Sequence, residues 1–249
     1  MTKFELVKLI RRRRGLRVIL KAIEESEGSK AEYLKILRRM LRDLKEPARS
    51  AESEAELRRL EMISEGLVST ADRMVSQVLR VEAKRHTKAW KASIKRQFGI
   101  DLSAVIRDED LEDYLRASGA RSAGLVKGLA DDTVKRVQTT VYDGLIRGEA
   151  STTVAKKLTA DFGVADSRAR LIAQDQMSKL NSDMNRIRHE QAGISKYTWS
   201  TSKDERVRAR HRALEGQEYR YGERTGAEDG LAPGQPIRCR CTARAVVEF

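Results

Sequence analysis

The sequence is poor in the residues that would let it be a cross-linked or membrane-spanning protein. It has two cysteines in 249 residues, Cys239 and Cys241, one residue apart. A bridge between them would close a small strained ring, so no disulfide framework is available and a reducing cytosol is the expected folding compartment. Three prolines and sixteen glycines without a repeating spacing exclude collagen-like and low-complexity chains. No apolar run approaches the roughly 18–20 residues of a membrane span, so no membrane partner is expected. The opening stretch MTKFELVKLIRRRRGLRVIL is interrupted by arginines and followed by no small-residue cleavage site, so it does not read as a secretory signal.

What the chain has in plenty is charge. Charged residues make up 35% and hydrophobic residues 40%, with a net charge of +13. Average domains are less charged and more apolar, so a large surface relative to the core is expected. The excess is uneven: residues 1–50 carry fifteen basic and seven acidic side chains, whereas residues 101–150 carry seven and ten. Such asymmetry suits a polyanion or an acidic protein surface as partner. The densest cluster is Arg11, Arg12, Arg13 and Arg14 with Arg17. On a helix, four consecutive arginines point nearly all round, and phosphate contacts by such residues would give salt-dependent binding to double-stranded DNA. The same stretch could instead dock on an acidic protein or stay solvated. A second cluster, Lys84 to Arg96, interleaves charge with Trp90, which reads as core. His86 and His189 read as surface residues.

Apolar spacing is helical over most of the chain. The first 45 residues, ending near Pro47, read as helix with a break at Gly28-Ser29. A long stripe from Leu57 to Leu79 continues through Trp90, Ile94 and Phe98, and Gly99 is placed to cap it. Residues 149–195 read as two helices, the second capped at Asp166-Ser167 and closed by Gly193. No strand is expected before residue 196. After Gly193 the character changes: Tyr197-Thr198-Trp199-Ser200 is strand-like, and five glycines and two prolines fall between 216 and 236. The expected fold is mainly α, with an elongated helical N-terminal part and a small α+β C-terminal module. Three segments are expected: 1–140 basic and helical; 141–196 a helical connector; and 197–249 the small module.

That module has a thin apolar core and needs support. A helix over 205–214 would put Asp204, Arg208 and His211 on one face. Alternation along Cys239-Arg240-Cys241 would put both sulfurs on the other side from the arginines. If the helix face meets the strand face, Asp204, His211, Cys239 and Cys241 would make a tetrahedral zinc set, and a structural zinc is the one cofactor the pattern suggests. The plain alternative is a helix histidine, an Asp204 that caps or pairs with arginine, and two small buried thiols.

Trp199-Ser-Thr-Ser-x-Asp204-x-Arg206-Val-Arg208-x-x-His211-x-x-Leu214-x-Gly216, followed by Pro233-Gly-Gln-Pro236-Ile-Arg-Cys239-Arg240-Cys241, resembles the C-terminal domain of Mu F-type phage head morphogenesis proteins, the minor capsid proteins of tailed phages. The stretch from Val141 to Tyr197, with Ser167-Arg-Ala-Arg-Leu-Ile-Ala173 and Gln191-Ala-Gly193-Ile, is similar too. The resemblance covers roughly the C-terminal 110 residues. The chain departs from it at Gln174-Asp175-Gln176, where the family often has Arg-Thr-Glu, and at Arg238, where Asn is usual. The resemblance implies a non-enzymatic assembly role in the virion, inside the capsid near the portal vertex, and in host cytoplasm during assembly. Implied partners are the portal protein, the major capsid or scaffolding protein, and phage double-stranded DNA bound without sequence preference. Nucleotide-binding, nucleophile-elbow and zinc-protease motifs are absent. The competing readings are a metal-dependent nuclease or toxin-like effector using Asp204 and His211, and a free DNA-binding protein.

Overall fold

A computed structural model describes residues 3–10 and 15–249. In chain order these hold α1 (Leu6–Leu9), β1 (Arg17–Ile19), α2 (Glu27–Arg49), α3 (Glu54–Phe98), α4 (Glu112–Arg147), α5 (Ser151–Gln191), β2 (Lys196–Ser200), α6 (Ala209–Arg212), β3 (Glu218–Arg220) and β4 (Thr242–Glu248). The protein is mainly α with a small α+β C-terminal part. It divides into two units that cut across chain order. One comprises residues 27–79 and 116–174; the other comprises residues 1–26, 80–115 and 175–249. The long helices α3, α4 and α5 supply residues to both.

The first unit is all helix. Tyr33, Leu37, Met40, Leu41 and Leu44 recur at three- and four-residue spacing on α2 and are buried, as are Leu57, Leu60 and Val75 on α3, Val126, Leu129 and Val137 on α4, and Leu158 and Phe162 on α5. Burying one such stripe against another is what holds helices that propensity alone would leave marginal. Arg38 forks onto Asp166 with bonds of 2.7 and 3.1 Å. That explains why α5 does not break at Asp166-Ser167. The carboxylate is spent on Arg38 and Arg170, the Ser167 hydroxyl bonds back to the Gly163 carbonyl, and the backbone runs on as one helix.

The second unit carries a four-stranded antiparallel sheet in the order β1-β4-β2-β3. The strand at residues 17–19 corrects the helical reading of the N-terminus. Arg17 pairs with Glu248, Val18 with Val247 and Ile19 with Val246. Val18, Leu20 and Ala22 alternate with exposed Arg17, Ile19 and Lys21, a period-two pattern hidden inside a Leu- and Ile-rich stretch. Helix α2 begins at Glu27, so Gly28 and Ser29 lie in its first turn and make no break there. At the other end Gly193, at φ +75°, closes α5. Before it, the Gln191 and Ala192 carbonyls accept the Phe4 and Leu6 amides at 2.9 and 3.1 Å. The core joins Leu6, Leu20, Trp90, Ile94, Leu102, Ile106, Ile194, Ala245 and Val247.

His86 and His189 belong to this interior rather than to the surface, at 0% and 1% exposure. His189 lies 5.0 Å from Trp90 ring to ring, and its Nδ1 meets the Tyr221 hydroxyl. The buried guanidinium of Arg188 alongside bonds Gln191, Thr87 and the Arg107 carbonyl at 2.7–3.2 Å. Burial disfavours the imidazolium form and holds both histidines down at about 3. The folded state therefore refuses protons that the unfolded chain accepts near 6.5. This stabilisation is intact above that value and is lost as pH falls from 6.5 towards 3, by up to about 1.4 kcal/mol per pH unit for each histidine. Urea melts between neutral pH and pH ~5 should show a falling midpoint that His86→Phe partly flattens; a wild-type midpoint flat over that range would contradict it.

Candidate metal centre

The cluster is built by short-range turns at one end of the two inner strands, β2 and β4. β2 carries Trp199, fully buried, opposite Ala243 of β4, so the backbone just ahead of β4 brings Cys241 to the end of β2. Past β2 the chain turns through Lys203 at φ +58°. Asp204 then holds the next turn, its Oδ1 accepting the Arg206 amide at 3.1 Å. Only a single helical turn, α6, follows, in place of the expected helix over 205–214; it delivers His211 to the interior. The Gly216 amide returns to the Trp199 carbonyl at 2.9 Å, which closes the loop.

The two sulfurs converge on one ring nitrogen. His211 Nδ1 lies 3.5 Å from Cys239 Sγ and 3.6 Å from Cys241 Sγ. All three residues are buried. Among the described residues these three form a group whose ligand atoms lie within 4.8 Å of one another. The far nitrogen, Nε2, donates to Glu228 Oε2 at 2.6 Å, and Arg208 Nη1 donates to the other carboxylate oxygen at 2.9 Å. The ring stands edge-on to Trp199 at 5.4 Å. Gly234, at φ +86°, turns its amide onto Cys239 Sγ at 3.4 Å. A side chain at Gly234 would also meet Ser182 Cβ at 2.9 Å. Trp199, Leu214, Ala227 and the two cysteines make up the small apolar cluster, with Tyr219 against it.

Electrostatics follow the same wiring. Partial burial works against an ionised Glu228, but the His211 bond, its own backbone amide and Arg208 outweigh it and bring the carboxyl down to about 2. The two thiols move in opposite directions: the bond with Cys241 holds Cys239 below the ordinary thiol range, and the bond with Cys239, with burial, raises Cys241.

Of the four expected ligands, His211, Cys239 and Cys241 come together and Asp204 does not join them. Both Asp204 oxygens face the Arg240 guanidinium, at 2.7 Å for the Nη2–Oδ1 bond. Its role is to close a turn and tie it to the segment between the cysteines. The carboxylate that does reach the histidine is Glu228, in a glycine-rich loop 17 residues downstream. No helical or strand spacing marks it. Of the expected phosphate-binding arginines, Arg17 pairs with Glu218; Arg11, Arg12, Arg13 and Arg14 lie outside the described residues.

Residues 135–244, which include the whole cluster, match the family described as Phage Mu protein F like protein. This stretch is a Mu F-like region. The chain is also 30% identical over 227 residues to an uncharacterized protein of Haemophilus influenzae strain Rd, an alignment covering 91% of this chain and 46% of the relative. The chain thus spans under half the length of the curated relative it matches. No solved structure matches it.

Glu228→Ala would strand the Nε2–H of a buried imidazole and the Arg208 fork. It should lower stability by about 1–3 kcal/mol. Asp204→Asn, which keeps the turn and weakens a partly exposed ion pair, should cost less. Denaturant midpoints of the two variants should rank in that order; equal losses would mean that the carboxylate on the histidine is not the stronger support.

Proposed function

We propose that this protein acts in phage head morphogenesis as a non-enzymatic minor head protein. In this reading it docks on the portal at the capsid interior, has the major capsid or scaffolding protein as further neighbours, and touches packaged double-stranded DNA. The observation that carries the proposal is the Mu F-like match over residues 135–244, laid over a sulfur–imidazole cluster built for holding shape. The competing nuclease reading needs Asp204 and His211 side by side as acid and base. Asp204 is engaged by Arg240 and His211 by Glu228, so that pair is not assembled.

Contact with DNA draws support from two basic stretches. One is the run of Arg11, Arg12, Arg13 and Arg14 in the sequence, outside the described residues. The other lies on α3, where Lys84, Lys88 and Lys95 are exposed at helical spacing with half-buried Lys91 between them, while His86, Trp90 and Ile94 fill the opposite, buried face. A lysine stripe on a helix whose far side is anchored in core presents charge to a phosphate backbone without rearranging the fold. No base-reading side chain is needed, and none is proposed.

Two measurements test this. Purified chain mixed with the portal protein of the same phage should co-migrate as a complex; a chain that never joins the portal overturns the assembly role. Binding to random-sequence duplex DNA should weaken steeply with salt. Replacing Arg11, Arg12, Arg13 and Arg14 by alanine should reduce the slope of log K against log salt by about 0.9 for each arginine lost from a phosphate. DNA binding without portal binding would favour the free DNA-binding reading. Cleavage that disappears in His211→Ala would favour the nuclease.

A further inference from the structure

We propose that His211 Nδ1, Cys239 Sγ and Cys241 Sγ bind one zinc ion as a structural staple, with Glu228 holding the imidazole from behind. The argument is independent of the assembly role and stands on three observations.

The first is distance. In a tetrahedral site with zinc–sulfur bonds near 2.3 Å and zinc–nitrogen bonds near 2.05 Å, the nitrogen-to-sulfur edge is about 3.6 Å. The two edges measured here are 3.5 and 3.6 Å. A thiol could donate to Nδ1 without a metal, but one nitrogen lone pair accepts one such bond, which leaves the second sulfur at the same distance unexplained.

The second is the tautomer. Glu228 can only accept from Nε2, so in the neutral ring, the form that binds a metal, Nδ1 carries no hydrogen and aims its lone pair at the sulfurs. A carboxylate on the outer nitrogen of a ligating histidine both orients the ring and raises its basicity. The same placement argues against hydrolytic chemistry. The carboxylate sits on the side of the ring away from the sulfurs, so it cannot reach a water bound at the ion.

The third is the remaining wiring of the sulfurs. The Gly234 amide points at Cys239 Sγ, a donor that favours a thiolate over a thiol. The Asp204–Arg240 fork pins the residue between the two cysteines, so both flanking side chains turn inward together. Binding is a ligand exchange with no electron transfer. Zinc gives up water, each cysteine that still carries a proton releases it to solvent, and both sulfurs bond as thiolates. Three protein atoms fill three corners of the tetrahedron. The small apolar cluster around them has little burial energy to spare, and a metal would supply what it lacks.

The full chain, expressed in zinc-supplemented medium and purified without chelator, should carry about one zinc per chain by elemental analysis. Cys239→Ser and His211→Asn should lose most of it, whereas Asp204→Asn should keep it. Because the serine variant could fail to fold, the deciding measurement uses the wild-type chain. After chelator treatment, titration with cobalt should produce a thiolate-to-cobalt charge-transfer band and tetrahedral visible bands that saturate at one equivalent, and zinc should bleach them. Re-adding zinc should also raise the thermal midpoint of the stripped chain. Purified chain without bound metal, together with a cobalt titration that gives no charge-transfer band, would overturn the proposal. Retention of zinc by Cys239→Ser and His211→Asn would overturn it as well.

Discussion

The C-terminal part of this protein depends on one imidazole held from both sides. Glu228 grips Nε2 of His211, and two sulfurs face Nδ1. The histidine, the glutamate and the cysteine pair come from three separate stretches of a loop-rich segment with few apolar residues to spare. A buried histidine left without partners would cost the segment more than its small core could return. Satisfied on both nitrogens, it fixes the position of α6, the loop bearing Glu228 and the approach of the chain to β4.

β4 passes that order on to the rest of its unit. Its seven residues pair with β2 on one side and β1 on the other, so the strand that begins one residue after Cys241 also receives the N-terminal segment. The Phe4 and Leu6 amides bond the end of α5, and Leu6 and Leu20 enter the same core as Trp90, Ala245 and Val247. The sheet thereby joins residues near both ends of the chain, and the cluster sits beside its central strand. This is an arrangement suited to a module that has to keep its shape while other surfaces make contacts.

Much of the helical architecture was readable beforehand because its signal is local. The stripe from Leu57 to Ile94, the glycine caps at Gly99 and Gly193 and the strand at Tyr197–Ser200 depend on neighbours a few residues away, and all are present. The ligand-rich segment was also visible, since His211, Cys239 and Cys241 stand out in a chain with so few of their kind. The misreadings share a cause. Asp166-Ser167 carries a capping signature, yet Arg38 on another helix claims the carboxylate. His86 and His189 looked solvated amid lysines and arginines, but each points from the inner face of its helix. Asp204 had the right helical spacing for a ligand, but the helix is one turn long and Arg240 takes the side chain.

By itself, then, the amino-acid order determined that the chain is mainly helical, that its charge is basic and uneven, and that both cysteines and one of the three histidines sit in a glycine-rich tail resembling Mu F-type proteins. Helical periodicity and composition carry that much because they need no distant partner. Only the tertiary structure decided that residues 17–19 form a strand, that Glu228 rather than Asp204 supports the histidine, and that the two cysteines face a single nitrogen. Those outcomes rest on hydrogen bonds between segments far apart in sequence, such as Arg17 with Glu248. No local pattern specifies such pairs; they form because each buried polar group takes whatever partner the packed chain brings within reach.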